Sequence, residues 1–197
     1  TVAGMLADHE KRSTGDAAAG LAFLQRQMLS RAALVATSLA PPGSREAFET
    51  RDAEMAHNFN YLMQQRHPGQ KVIVWGHNAH VAKQWPEPQK PRMMGNHLAG
   101  TYGTSLYVVG LVMGSGRATN NTRASYQVAQ PHPASLEGAF AGAAVKMGFL
   151  DLTSNKASWM SKPVMTRNWG MRPIFITPDV SFDGLVYIDT VTPPEYM

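Results

Sequence analysis

The sequence predicts an α/β fold, with a partly parallel central sheet flanked by helices. Three observations carry this. Apolar residues recur at helical spacing near the start, as in Leu21, Leu24, Met28, Leu29 and Ala32. A short β-branched run follows at Lys71–Trp75 (KVIVW), with a second apolar run at Ser105–Met113. Helical and strand-like segments then alternate, which favours helices layered on a sheet with parallel neighbours.

Residues 1–40 read as a helical lead-in, weakened over Gly15 to Gly20. Pro41-Pro42-Gly43 breaks it. Ser44 is the expected N-cap of the next helix, with Glu46 placed in the first turn, where a carboxylate meets the helix dipole. This helix runs to about Arg66 and ends at His67-Pro68-Gly69. KVIVW is expected as a buried strand. Gly76-His77-Asn78-Ala79-His80 follows directly, with Asn78 as the expected cap of a short helix from Ala79. Three prolines make residues 84–93 a loop, and 94–102 fit a helix. Residues 114–127, rich in Gly, Ser, Thr and Asn, read as loop. Leu136–Lys146 fits a helix, and Arg172–Thr177 and Leu185–Ile188 fit strands.

Composition narrows the chemistry. With no cysteine among 197 residues, disulfides, thiolate metal sites and a cysteine nucleophile are excluded. The absence also fits a reducing, cytoplasmic setting. Lys and Arg total 18 against 14 Asp and Glu. That excess of +4 is dispersed, so the sequence argues against a nucleic-acid partner, which needs clustered cations. No apolar run approaches the roughly 20 residues of a membrane span. The first residue is Thr1 rather than Met, as expected of a piece of a longer chain.

Two features draw attention as sites. On the helix from Ser44, Arg51, Asp52 and Asn58 share a face with the apolar stripe of Phe48, Met55, Phe59 and Leu62. Arg51 either snorkels or pairs structurally there, or it is presented with Asn58 to a pocket. His77 and His80 stand at the carboxyl end of an expected strand, where α/β folds place their pockets. Imidazoles there suit acid/base or hydrogen-bonding work near neutral pH; the alternative is a pair of ordinary satisfied histidines. A metal set completed by His97 or Glu87 is a rival, but no His-Glu-x-x-His spacing supports it. Met93, Met94 and Met113 either fill core or form an adaptable apolar wall. No nucleophile elbow, dinucleotide fingerprint or phosphate loop is found.

The array Arg51-Asp52-x-x-Met55-Ala56-x-Asn58, followed by Lys71-Val-Ile-Val-Trp75-Gly-His77-Asn78-Ala-His80, resembles the erythromycin esterase family. Further matches follow in that family's order. They are Met94-Gly95-x-x-Leu98-x-x-x-Tyr102-Gly103, Tyr107-Val-Val-Gly110, Ser135-x-Glu137, Phe149-Leu-Asp-Leu152, Arg167-x-x-Gly170 and Phe182-Asp183-Gly-Leu185-Val-Tyr187-Ile188. The resemblance covers roughly residues 45–193. It implies an α/β core with a cleft, and hydrolysis of an ester by an activated water without a serine nucleophile, with no cofactor. Macrolide lactones are the family's best-known substrates, so the resemblance brings antibiotic resistance into view; other members are labelled succinoglycan biosynthesis proteins.

Carried over, His77 positions the water, Arg51 stabilises the developing oxyanion and His80 supports them. Asn58, Asn78, Met94 and Met55 face the substrate. The family's base lies in an upstream Gly-Glu-x-x-His-Gly motif, which does not occur here; His9-Glu10 lacks its glycines. A family chain is about twice as long. The resemblance therefore implies the C-terminal portion of one such domain, incomplete at its N-terminus, with 1–43 as lead-in and 44–193 as core. Such a piece is expected to be inactive alone, its base supplied by a missing N-terminal segment or a second chain. A ligand-binding remnant and a metal-dependent hydrolase using His77 and His80 are the competing expectations.

Overall fold

A computed structural model describes residues 16–85, 92–154 and 157–195. His9-Glu10 and Glu87 lie outside these, as does most of the loop expected over 84–93. The chain divides into two compact units, one of Thr1–Trp75 with Pro91–His97, the other of Gly76–Lys90 with Leu98–Met197.

In the first unit, α1 (Asp16–Leu39) and α2 (Arg45–Tyr61) are joined by the Pro41-Pro42-Gly43 turn. Gly43 has φ 74°, a left-handed value that suits its lack of a side chain. Ser44 caps α2 as expected: its Oγ accepts the Ala47 N–H at 3.2 Å. Asn58 Nδ2 donates to Ser30 Oγ across the helix pair (3.1 Å), and Arg26 pairs with Glu54. The last turn, Leu62–Arg66, widens to a π-helix.

The expected burial of α2 is corrected. Its buried residues are Ala47, Asp52 and Ala56, whereas Arg51 is exposed and Phe48 and Leu62 are partly exposed. Large apolar residues on α2 therefore do not define its buried face. Asp52 is tolerated there because its Oδ1 accepts the Met94 N–H at 2.9 Å. That places a carboxylate at the first residue of α4 (Met94–Tyr102), where the dipole favours it. Met93 and Met94 are themselves buried.

The KVIVW expectation is also corrected. Lys71–Trp75 is not a strand but an exposed stretch with no ladder. Ile73 is 93% exposed and Trp75 82%. An apolar, β-branched sequence becomes a buried strand only when neighbours pair with it, and none does among the described residues.

The second unit holds a four-stranded sheet in the order β2-β1-β6-β3: β1 is Val109–Thr119, β2 Ser125–Val128, β3 Met147–Asp151 and β6 Gly184–Val191. The β1–β6 pair is parallel and the other two pairs antiparallel, so the fold class stands with a single parallel pairing. A separate hairpin joins β4 (Val164–Asn168) to β5 (Arg172–Ile176). Short helices α3 (Asn78–Val81), α5 (Leu136–Gly142) and α6 (Pro178–Ser181) flank these strands.

Residues 114–127 are mostly strand rather than loop. Gly114 serves close strand approach: a Cβ there would lie 2.4 Å from the Asp189 carbonyl oxygen. The turn narrows to the residues after Thr119, where Asn120 Oδ1 accepts the N–H groups of Thr122 and Ala124. The core gathers Val108, Val112, Leu152, Ile176, Phe182, Leu185 and Tyr187, with Phe140 stacked on Tyr187. Asp183 ties the end of β6 inward, accepting the Val108 N–H (2.8 Å) and pairing with Lys83 (2.7 Å). No helix among the described residues is long and apolar enough to cross a membrane.

Candidate active site

His77, Asn78 and His80 are brought together in the second unit by α3. The expected capping role is corrected: His77, not Asn78, is the N-cap, its Nδ1 accepting the Ala79 N–H at 3.2 Å. Asn78 instead turns its amide onto β1, donating from Nδ2 to Leu111 O (2.6 Å) and accepting the Leu111 N–H on Oδ1 (2.9 Å). The amide thus satisfies both polar groups of one β1 peptide position. It fixes the start of α3 against the sheet.

With Nδ1 accepting, a neutral His77 carries its proton on Nε2. Burial, and then the neighbouring His80, hold the imidazole below the ordinary histidine value of 6.5. His80 stands edge-on to it, centroids 6.5 Å apart. The opposite neighbour is Trp169, stacked on the His77 ring at 4.7 Å and 25°. His77 is therefore a neutral Nε2–H donor at neutral pH, suited to holding an oxygen in place rather than removing a proton from water.

Two buried or clamped groups that the motifs mark only as family matches stand behind this arrangement. Glu137, 1% exposed, accepts Thr166 Oγ1–H (2.8 Å) and the Arg167 N–H (3.0 Å) on Oε1. Arg167 donates to the carbonyls of Ala129, Met113 and Gly114 at 2.7–2.8 Å. Its Nε lies 3.8 Å from Glu137. Together they pin the β4–β5 hairpin to β1.

The first unit holds the remaining candidates. Arg51, Met55 and Asn58 line a cleft of ≈ 240 Å³ between α1 and α2, with Ser30, Leu34 and Glu54 also in its wall. Met94 is buried beside Asp52, through the backbone contact already described. His97 is held below 6.5 by burial, followed by the nearby Arg92. Among the described residues no group of three or more His, Asp or Glu side chains is placed to hold a metal ion.

Both lowered histidines link stability to pH with one sign. The unfolded chain binds their protons first, so stability present above pH 6.5 is lost as pH falls through the folded-state values. Asp151, held at about 2 by bonds from Thr153 and Ser154, adds a loss of the same sign below pH 3.8. Denaturant midpoints measured from pH 7.5 to 5 should fall, and His77→Asn should flatten the second unit's part of that fall.

The erythromycin esterase family model matches residues 1–191. A Bacillus subtilis (strain 168) relative named "Putative hydrolase YbfO" is 30% identical over 161 residues, covering 75% of this chain and 36% of the relative. A crystal structure of a Bacillus cereus protein superposes with TM-score 0.78 at 20% identity, over 98% of this chain and 50% of that one. A succinoglycan biosynthesis protein gives 0.67 at 14% identity, over 96% and 53%. A histidine-to-asparagine mutant of erythromycin esterase EreC, in its open conformation, gives 0.53 at 17%, over 82% and 40%. The chain thus spans about a third to a half of the length of these relatives.

Proposed function

The chain belongs to the erythromycin esterase family, and from that premise we propose that it is the C-terminal portion of an ester hydrolase that works by activating water. The observation that carries this reading is the state of His77. Its Nδ1 is committed to the Ala79 N–H, so its Nε2–H can donate to the carbonyl oxygen as negative charge develops there. His80 supports it from the same short helix; Arg51, for which the family resemblance implies a charge-stabilising role, is exposed on α2 of the first unit. Asn58, Met55, Met94 and Asn78 supply substrate contacts or hold the elements that do.

A neutral imidazole whose proton sits on Nε2 is a poor base on that side. We assign the proton of the attacking water, as the family resemblance implies, to a group from outside this chain, a missing N-terminal segment or a second chain. The exposed apolar surface supports this: Ile73 and Trp75 in the unpaired stretch, and Leu34, Val35 and Leu39 on α1. An extended β-branched segment left open to water is a site for strand pairing, and the solved relatives carry about as much chain again as is present here. The boundaries we assign are a lead-in over 1–43 and a motif-bearing core over 44–193 of a single domain.

The substrate is a small ester, with a 14-membered macrolide lactone as the first candidate, and the setting is cytoplasmic. The test is hydrolysis of a panel of aryl esters and macrolactones by the complete gene product, with and without a chelator. Ester turnover that survives chelation supports the reading; turnover abolished by chelation and restored by zinc or manganese would replace it with metal-dependent chemistry.

A further inference from the structure

We propose that Trp169 is the positioning residue of His77, holding the plane of the imidazole from the tip of the β4–β5 hairpin. This deepens, and rests on, the reading of His77 given above. The starting point is the backbone. Trp169 has φ 59° and Gly170 φ 67°, two successive left-handed values of the kind found in primed hairpin turns. Glycine and asparagine adopt them readily; a bulky aromatic residue does not, and such a residue persists only where its surroundings over-determine it.

Here they do. The Trp169 carbonyl accepts the Tyr126 hydroxyl at 3.0 Å, and Met171 N–H closes the turn onto Asn168 O at 3.1 Å. Gly170 is seated so closely that a Cβ would lie 3.0 Å from both Met113 Sδ and Val128 Cγ1. One strand back, Arg167 grips three carbonyls of the β1–β2 region and Glu137 grips Arg167. The rigidity of the whole hairpin therefore ends in the half-buried side chain at 169. That side chain lies flat against His77.

His77 is thereby fixed on two sides. The Ala79 N–H holds its Nδ1 edge, and the indole covers one ring face. Without the indole the imidazole is free to rotate about its last torsion, which is broad for such rings. The titratable neighbour that acts on His77 is His80, from its own element; Trp169 brings no charge from the hairpin.

The test uses Trp169→Gly and Trp169→Phe. Glycine relieves the left-handed backbone and removes the platform; phenylalanine keeps an aromatic face. Nitrogen-15 NMR of His77 in this chain reads tautomer and titration. In Trp169→Gly the fold should survive, the His77 nitrogen resonances should broaden as the ring reorients, and the titration should move up toward 6.5. Trp169→Phe should retain the parent values. In the complete gene product the Gly variant should lower kcat by roughly ten- to a hundredfold with KM little changed. Unaltered His77 spectra in the Gly variant would overturn the proposal, as would unfolding of that variant or equal effects of Gly and Phe. If the parent enzyme turns over no ester, the functional reading fails, while the spectra still decide the role of Trp169.

Discussion

Arg167→Met should be the most destabilising single change in the second unit, costing about 3–5 kcal/mol. The reason is what it leaves behind. Glu137 is buried to 1% and keeps only the Thr166 hydroxyl and a backbone N–H on one oxygen. Three carbonyls, of Ala129, Met113 and Gly114, lose their donor in the same step. A buried carboxylate stripped of its cation costs far more than an exposed ion pair gains. Arg117→Met is the matched control. Arg117 is exposed and donates to Ser125 Oγ, so its loss should stay within about 0.5 kcal/mol. Urea denaturation of the two variants compares them directly. Adding Glu137→Gln to Arg167→Met should recover part of the loss, since the neutral amide no longer strands a charge.

His77 should dominate activity as Arg167 dominates stability. Removing a hydrogen-bond donor aimed at a developing oxyanion costs about 100- to 1,000-fold in kcat. His77→Ala alone confuses two effects, because the imidazole also caps α3, and caps are worth about 1 kcal/mol. His77→Asn separates them, since asparagine is itself a good cap but offers no Nε2–H. Both variants should lose turnover to a similar extent in the complete gene product, while only His77→Ala should lower the thermal midpoint. Full turnover in His77→Asn would remove His77 from the chemistry.

Much of this was legible in the sequence, for reasons that differ by residue. Ser44, Pro41 and Gly43 act through local geometry, so the break and the capped start of α2 are read correctly. The spacing of His77 and His80 likewise places both rings on one face of a single turn. Readings failed where distant chain decides. KVIVW has strand chemistry, but a strand exists only through its neighbours. Gly114 and Gly116 look like loop residues until β6 lies against them. Met147–Asp151 carries its apolar side chains largely outward at a sheet edge, so it lacks a buried pattern. The choice of His77 over Asn78 as cap depends on Leu111, 33 residues away, claiming the asparagine amide. Trp169 gave no signal at all, because left-handed backbone at a tryptophan contradicts local preference.

On the proposed function, this chain supplies the positioning half of a hydrolytic site and its base comes from outside it. Ester hydrolysis compared between this chain alone and the complete gene product tests it most directly. The expected result is turnover by the complete product and none above background by the chain alone, restored when the remaining polypeptide is added. Equal turnover by both, or no hydrolysis of any ester by the complete product, would contradict it.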